Sequence, residues 1–213
     1  MIRILGVDPG SRVTGYGVIT VEGNHHRYVA SGCIRAGAGA LPERLGRIHA
    51  GLRELIETHR PDEVAVEKVF VYRSAESALK LGHARGAAML TAVMAGLPLA
   101  EYAAPKVKQA VTGSGRADKA QVAQMVTTLL ALSATPQADA ADALALALSH
   151  AQAGNLADLP IRGRRRNHRR ALTEALKAEP NAAAMIGNYH RAPPPADPTR
   201  IWARGRKHWI SRA

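Results

Sequence analysis

Four acidic residues stand where an acid needs a reason. Asp8 closes the apolar run Ile4, Leu5, Val7 and precedes the strand-breaking pair Pro9 and Gly10. Burying a carboxylate at the end of a central strand is costly unless something positive meets it. Only Arg3 and Arg12 flank this run. Asp8 alone therefore reads equally as a turn cap or as a metal ligand. Glu67 ends a second short run, E-V-A-V-E, just before Lys68, with which an ion pair is the simpler alternative. Asp139 and Asp142 open the segment Q-A-D-A-A-D-A-L-A-L-A-L and, three residues apart, share one helix face. Asp139 suits a first helical turn on dipole grounds alone. Asp142 lies among Ala and Leu, where an acid is harder to place. Four gathered carboxylates repel one another unless a cation binds. An all-oxygen donor set selects Mg²⁺ or Mn²⁺. Two such ions about 4 Å apart can activate a water and stabilise the leaving oxygen of a phosphodiester.

The elements that would bring these acids together can be read from periodicity. Strands are predicted at Ile2–Asp8, Val13–Glu22 and His26–Arg35, with turns at Pro9-Gly10-Ser11 and Gly23-Asn24. Gly15 and Gly17 inside the second strand point to close approach by another backbone or a ligand. Leu41, Leu45, Ile48, Leu52, Leu55 and Ile56 predict a helix over Pro42–His59. A strand ending at Glu67 follows, then a helix over Ser74–Ala95 rich in small residues, which suits a tight internal or subunit contact. A strand over 97–102, a T-G-S-G-R loop, a helix over Ala117–Leu132 and a last helix opened by Pro136 complete the order βββαβαβαα. Parallel neighbours joined by a crossover helix would place Asp8 and Glu67 at the same sheet end.

Composition narrows the function classes. A chain of 213 residues with 46% hydrophobic residues holds one sizeable core. Cys33 is the only cysteine, which excludes an internal disulfide and a thiolate zinc site. It reads as a small buried residue in a cytoplasmic, reducing setting. No apolar run is long enough to span a bilayer, so no membrane partner is expected. The net charge of +12 is uneven: residues 1–157 carry 16 Lys and Arg against 13 Asp and Glu, and residues 158–213 carry 13 against 4. A basic chain suits a polyanion such as nucleic acid. The predicted domains are a folded unit over 1–157 and a basic, disordered extension over 158–213, with a short helix at Ala171–Ala178. Trp202 and Trp209 are unexpected in a solvated tail.

The blocks I-L-G-V-D-P-G-S-R-V-T-G-Y-G-V-I, V-E-K-V-F, S-A-L-K-L-G-H-A-R-G, V-K-Q-A-V-T-G-S-G-R-A-D-K-A-Q-V and P-Q-A-D-A-A-D-A-L-A resemble, in family order over about residues 1–153, crossover junction endodeoxyribonucleases of the RuvC type. The resemblance implies an RNase H-like α/β fold, a mixed five-stranded sheet flanked by helices. It implies a homodimer that resolves Holliday junctions by symmetric paired nicks in strands of like polarity. Mg²⁺ would be the cofactor, with Mn²⁺ able to substitute. Asp8, Glu67, Asp139 and Asp142 would be the catalytic, metal-binding acids. Phe70 would stack near the junction centre. Lys108 and Lys119 match basic positions near the active site, and His83 and Arg85 lie on the helix that resembles the dimer-forming one. The implied partners are four-way junction DNA, a second copy, and the branch-migration complex of RuvA and RuvB.

Lys119 also draws notice without the family. A cation in a first helical turn is mildly unfavourable, and a phosphate at that helix start would offset the cost. Arg116 and the Gly113–Gly115 loop could add phosphate contacts. His150 is read as a helix-end residue only. The basic extension departs from the family, which ends soon after the last core helix. It reads as a DNA-binding arm, a disordered extension, or a translated frameshift or readthrough. Two other functions suit parts of the sequence: an RNase H-like nuclease acting on RNA, and a non-enzymatic basic DNA-binding protein. An actin-like ATPase also opens with D-x-G, but residues 1–157 are too short for its second lobe.

Overall fold

The computed structural model describes residues 1–68, 75–156, 200–202 and 209–211. Five strands form one mixed sheet: β1 (Ile2–Asp8), β2 (Val13–Glu22), β3 (His25–Arg35), β4 (Glu63–Lys68) and β5 (Leu99–Ala103), in the order β3-β2-β1-β4-β5. The first three are antiparallel; β1, β4 and β5 run parallel. The parallel pairs need crossovers. Helix α1 (Leu41–His59) supplies the connection from β3 to β4, and α2 (Ala75–Met94) the one from β4 to β5.

Strand parity divides the core. Leu5, Val7, Val18, Val64 and Val66 point to one face, where Ile48 and Leu52 of α1 and Ala84, Ala88 and Ala92 of α2 cover them. Ile4, Ile19 and Ala65 point to the other face, against α5 (Ala138–Leu156). Helix α5 is buried almost all round, from Ala140 to Ala151, because α3 (Ala104–Thr112) and α4 (Lys119–Leu129) pack on its outer side. This explains its continuous Ala/Leu composition, since a helix sandwiched between two layers has no polar face to keep.

The expected order lacks α3. Its signals are present but sparse: Pro105 in the first turn, Val107 and Val111 buried four residues apart, and Gly113 at the C-cap with φ of 77°. Glycine tolerates that left-handed conformation without a Cβ clash. The other elements match the predicted ones to within a few residues.

The chain divides into two compact units, Met1–Arg164 and Arg165–Ala213. In the second, β6 (Arg200–Trp202) pairs antiparallel with β7 (Trp209–Ser211), and Trp202 lies opposite Trp209. A disordered extension is not expected to contain such a strand pair. The rest of the extension, including the predicted helix at Ala171–Ala178, lies outside the described residues.

Candidate active site

The parity that sorts the core also aims the acids. On β1, residues 4, 6 and 8 share the α5 face, so Asp8 follows Ile4 and Gly6 toward α5. On β4, Glu67 follows Ala65 to the same face, while exposed Lys68 alternates to the other. Val7 is registered with Val66 in the parallel pair. Asp8 and Glu67 therefore finish adjacent strands side by side.

Helix α5 must then come close enough to add its acids, and glycine permits this. A Cβ on Gly6 would meet the Ala143 carbonyl oxygen at 2.0 Å, and one on Gly15 would meet the Asp139 carbonyl oxygen at 2.0 Å. A Cβ on Gly17 would meet the Leu144 backbone nitrogen at 2.7 Å. The backbone approach suggested by Gly15 and Gly17 is that of α5. Gly15 is the register partner of Asp8 on β1. The start of α5, with Asp139 in its first turn and Asp142 one turn further on, is thereby seated over the sheet end that carries Asp8 and Glu67.

The electrostatics register all four acids acting on one another. Burial first, then the charges of Glu67 and Asp142, a hydrogen bond with Glu67 and the charge of Asp139 push the Asp8 carboxyl up to about 8. Burial and Asp142 also raise Glu67, whereas its bond to Asp8 and the ammonium groups of Lys119 and Lys108 pull it down. Asp8 thus keeps its proton at neutral pH, hydrogen-bonded to Glu67. Such a set of oxygen donors, in which Asp8 and Glu67 are made costly to ionise by burial and by neighbouring carboxylates, suits a hard divalent cation. Among the described residues no group of three or more of His, Cys, Asp and Glu is arranged as it stands to hold a metal ion. Asp142 is turned to Lys119, whose Nζ lies 2.7 Å from its Oδ2, and Asp8 is turned to Glu67.

Lys119 therefore has a partner inside the chain, and its ammonium is held up chiefly by that bond to Asp142. The start of α4 is capped by Asp118, which accepts from the Gln121 amide at 2.8 Å while the Gln121 side chain accepts from the Asp118 amide at 2.9 Å. A phosphate expected at that helix start would meet an acid already seated there. Lys108 is half-buried nearby, and Arg116 is exposed on the loop before α4, beside Ser114. Phe70 lies outside the described residues.

The two α2 residues expected at a subunit contact behave differently. His83 is exposed. Arg85 is instead turned inward: its guanidinium pairs with Glu101 on β5, and its Nε donates to the Glu67 carbonyl at 3.2 Å. It braces the strand end that carries Glu67. Cys33 is half-exposed rather than buried, at the register position of Gly15, and its thiol donates to Gln137 Oε1 at 3.4 Å. Burial, the largest influence, and Asp139 raise this thiol. His150 proves to be more than a helix end. Its Nδ1 lies 2.7 Å from the Tyr102 hydroxyl and its Nε2 2.7 Å from Glu63, tying α5 to β4 and β5. The partners are 48 and 87 residues away in sequence, and no local pattern announces them.

Residues 4–150 match the family model described as crossover junction endodeoxyribonuclease RuvC. The crossover junction endodeoxyribonuclease RuvC of Halorhodospira halophila is 62% identical over 152 residues, spanning 71% of this chain and 90% of its own. That of Shewanella amazonensis is 58% identical over 150 residues, spanning 70% and 87%. The structure of T. thermophilus RuvC in complex with Holliday junction substrate superposes with a TM-score of 0.70 at 40% identity, over 73% of this chain and 96% of that one.

Proposed function

The chain belongs to the RuvC family of crossover junction endodeoxyribonucleases, and on that premise we propose how it resolves a Holliday junction. The observation that carries the reading is the convergence of Asp8, Glu67, Asp139 and Asp142 on one sheet end. These four would hold the metal of a metal-dependent nuclease. The oxygen-only donor set favours Mg²⁺, with Mn²⁺ able to substitute. When bound, the metal supplies Lewis-acid stabilisation of a phosphodiester and an activated water. The chain's own residues do the rest. Lys119 neutralises Asp142 until a substrate phosphate offers it a second anion, and Lys108 sits beside Glu67 for the same task. Arg85 fixes the Glu67 backbone, and Arg116 presents a further exposed cation.

The test is a synthetic four-way junction incubated with and without Mg²⁺. Paired nicks in two strands of like polarity are expected only with metal. A preference for structured RNA over the junction would favour the RNA-processing alternative instead. Metal must also displace the proton that Asp8 retains up to about pH 8. At limiting Mg²⁺, apparent metal affinity should rise about tenfold per pH unit below 8 if one proton is released. A flat affinity profile from pH 6 to 8 would refute that competition.

The partner is a second copy of the chain, docked through α2. Leu79, Gly82, Gly86, Leu90 and Val93 recur at spacings of three and four on this helix. Leu79 and Leu90 are 63% and 60% exposed, and added Cβ atoms on Gly82 and Gly86 would meet nothing within 4 Å. An apolar stripe with open glycines suits close approach of an equivalent helix, and a symmetric pair places two sites on one junction. Leu90→Glu should sediment as a folded monomer and lose coordinated nicking. A dimer surviving that substitution would place the contact elsewhere. The RuvA and RuvB branch-migration complex is the further partner we propose, and a cytoplasmic setting the location, both in keeping with the family resemblance. No helix among the described residues is long and apolar enough to cross a membrane.

A further inference from the structure

At the sheet end that carries Asp8, but on the side covered by α1 and α2, lies a cavity of about 380 Å³ that the four acids do not line. It opens between the β1–β2 turn, the loop from β3 to α1 and the start of α2, and its cations are Arg12, Arg44 and Lys80. Ser11 and Ser77 contribute the hydroxyls of its wall. Arg44 is the telling residue. It is 9% exposed, donates from Nη1 to the Ser11 carbonyl at 3.0 Å, and leaves its buried Nε with no hydrogen-bond partner. Neither Arg44 nor exposed Arg12 has an ion-pair partner among the described residues. Of the acids nearest in sequence, Glu43 pairs with Arg47 at 3.6 Å, and Glu76 pairs with the cavity's own Lys80, so Arg12 and Arg44 are the cations left without a carboxylate among the described residues. A buried guanidinium without a counter-charge is expensive, and an anion in the cavity would relieve it.

We infer that this cavity is a second phosphate site, which takes a backbone phosphate of the DNA strand a few nucleotides from the bond that is cut. The inference rests on the DNA-cleaving reading above. Position favours a phosphodiester over a free anion. Ser11 follows Asp8 by three residues, so the two lie within about 10 Å along the chain. That distance is of the order of the separation between neighbouring phosphates of one strand. A strand whose scissile phosphate sits at Asp8 would carry a neighbouring phosphate to the cavity mouth. The guanidinium and hydroxyl donors match phosphate oxygens, and the positive-φ turn at Gly37 and Gly39 lets the backbone curve around the mouth.

The test uses the full chain carrying Asp8→Asn, so that binding is read without cleavage. Arg12→Gln with Lys80→Gln removes two cations and leaves the bond from Arg44 to Ser11 intact. The slope of log affinity for a four-way junction against log salt should become shallower by about 0.9 for each phosphate no longer neutralised. Affinity at low salt should fall about tenfold. Single methylphosphonates placed along the strand should weaken the parent at one position within a few nucleotides of the nick, and that penalty should vanish in the double variant. An unchanged slope, or a methylphosphonate penalty that persists, overturns the proposal. So does thermal protection by inorganic phosphate that the double variant loses while its salt slope stays that of the parent, since the cavity would then serve a free anion. A chain that nicks no junction, yet shows the slope change on plain duplex, would sink the resolvase reading and leave the phosphate site standing.

Discussion

Asp8→Asn will bind a four-way junction, nick it at least about 1,000-fold more slowly, and be more stable than the parent when metal is removed. The first part follows from the position of Asp8 at the centre of the carboxylate set, with Glu67, Asp139 and Asp142 all acting on it. A thousandfold loss corresponds to about 4 kcal/mol of transition-state stabilisation, within what a metal site supplies. The second part follows from linkage. The Asp8 carboxyl titrates near 3.8 in the unfolded chain and at about 8 in the fold. Between those values the folded state holds a proton that the unfolded state has lost, so stability falls as pH rises through this window. Asn cannot ionise and keeps a donor for Glu67. Above pH 8 the variant should therefore gain about 1–3 kcal/mol over the metal-free parent, after side-chain relaxation and water entry are allowed for. Denaturant unfolding in chelator at pH 5 and pH 8.5 reads this directly. The parent should weaken between the two and the variant should not, and Mg²⁺ should restore the parent alone. Equal pH profiles for both proteins would mean that the carboxylates do not burden one another.

The acidic site was legible in the sequence because its geometry follows from local rules. Strand parity and a crossover helix bring Asp8 beside Glu67, and the i, i+3 spacing puts Asp139 and Asp142 on one face, but that this face meets the sheet end stays open in the sequence. Gly15 and Gly17 even announced that something would lie against β2. Less legible were the interactions whose partners are remote. The inward turn of Arg85 to Glu101, the bond of Lys119 to Asp142 and the clamp of His150 between Tyr102 and Glu63 depend on rotamers in the assembled layers. Each residue taken alone looks like a surface cation or a helix end. Helix α3 was missed for a different reason: two buried valines four residues apart are too short a pattern to assert a helix against its Lys and Gln neighbours. Net charge pointed to the extension as the basic element of the chain. It could not show that Arg12 and Arg44 lack carboxylate partners at the sheet end that carries Asp8, because that is a property of packing rather than composition.

Gly15→Ala, a single added methyl group, should cost about 100-fold in nicking and about 1–3 kcal/mol in stability. A Cβ at this position would lie 2.0 Å from the Asp139 carbonyl oxygen, 2.5 Å from its carbonyl carbon and 3.1 Å from its Cβ. Backbone atoms cannot swing aside as a side-chain tip would, so the start of α5 must retreat by about 1 Å to restore ordinary contact, a displacement of the size that costs two orders of magnitude when it separates catalytic groups. The retreat carries Asp139 and Asp142 away from Asp8 and Glu67 while leaving all four side chains in place. The defect thus differs in kind from Asp8→Asn. The ligands survive, so excess Mg²⁺ or Mn²⁺ should recover part of the lost rate in Gly15→Ala and none in Asp8→Asn. Gly46→Ala is the matched control, because its added Cβ meets nothing within 4 Å in the middle of α1. There the same substitution should stabilise the fold by about 0.5–1 kcal/mol, since alanine gives up less backbone freedom than glycine in a helix. If Gly15→Ala instead folds and cuts like the parent, then α5 does not rest on β2, and the seating of its two acids over Asp8 must have another cause.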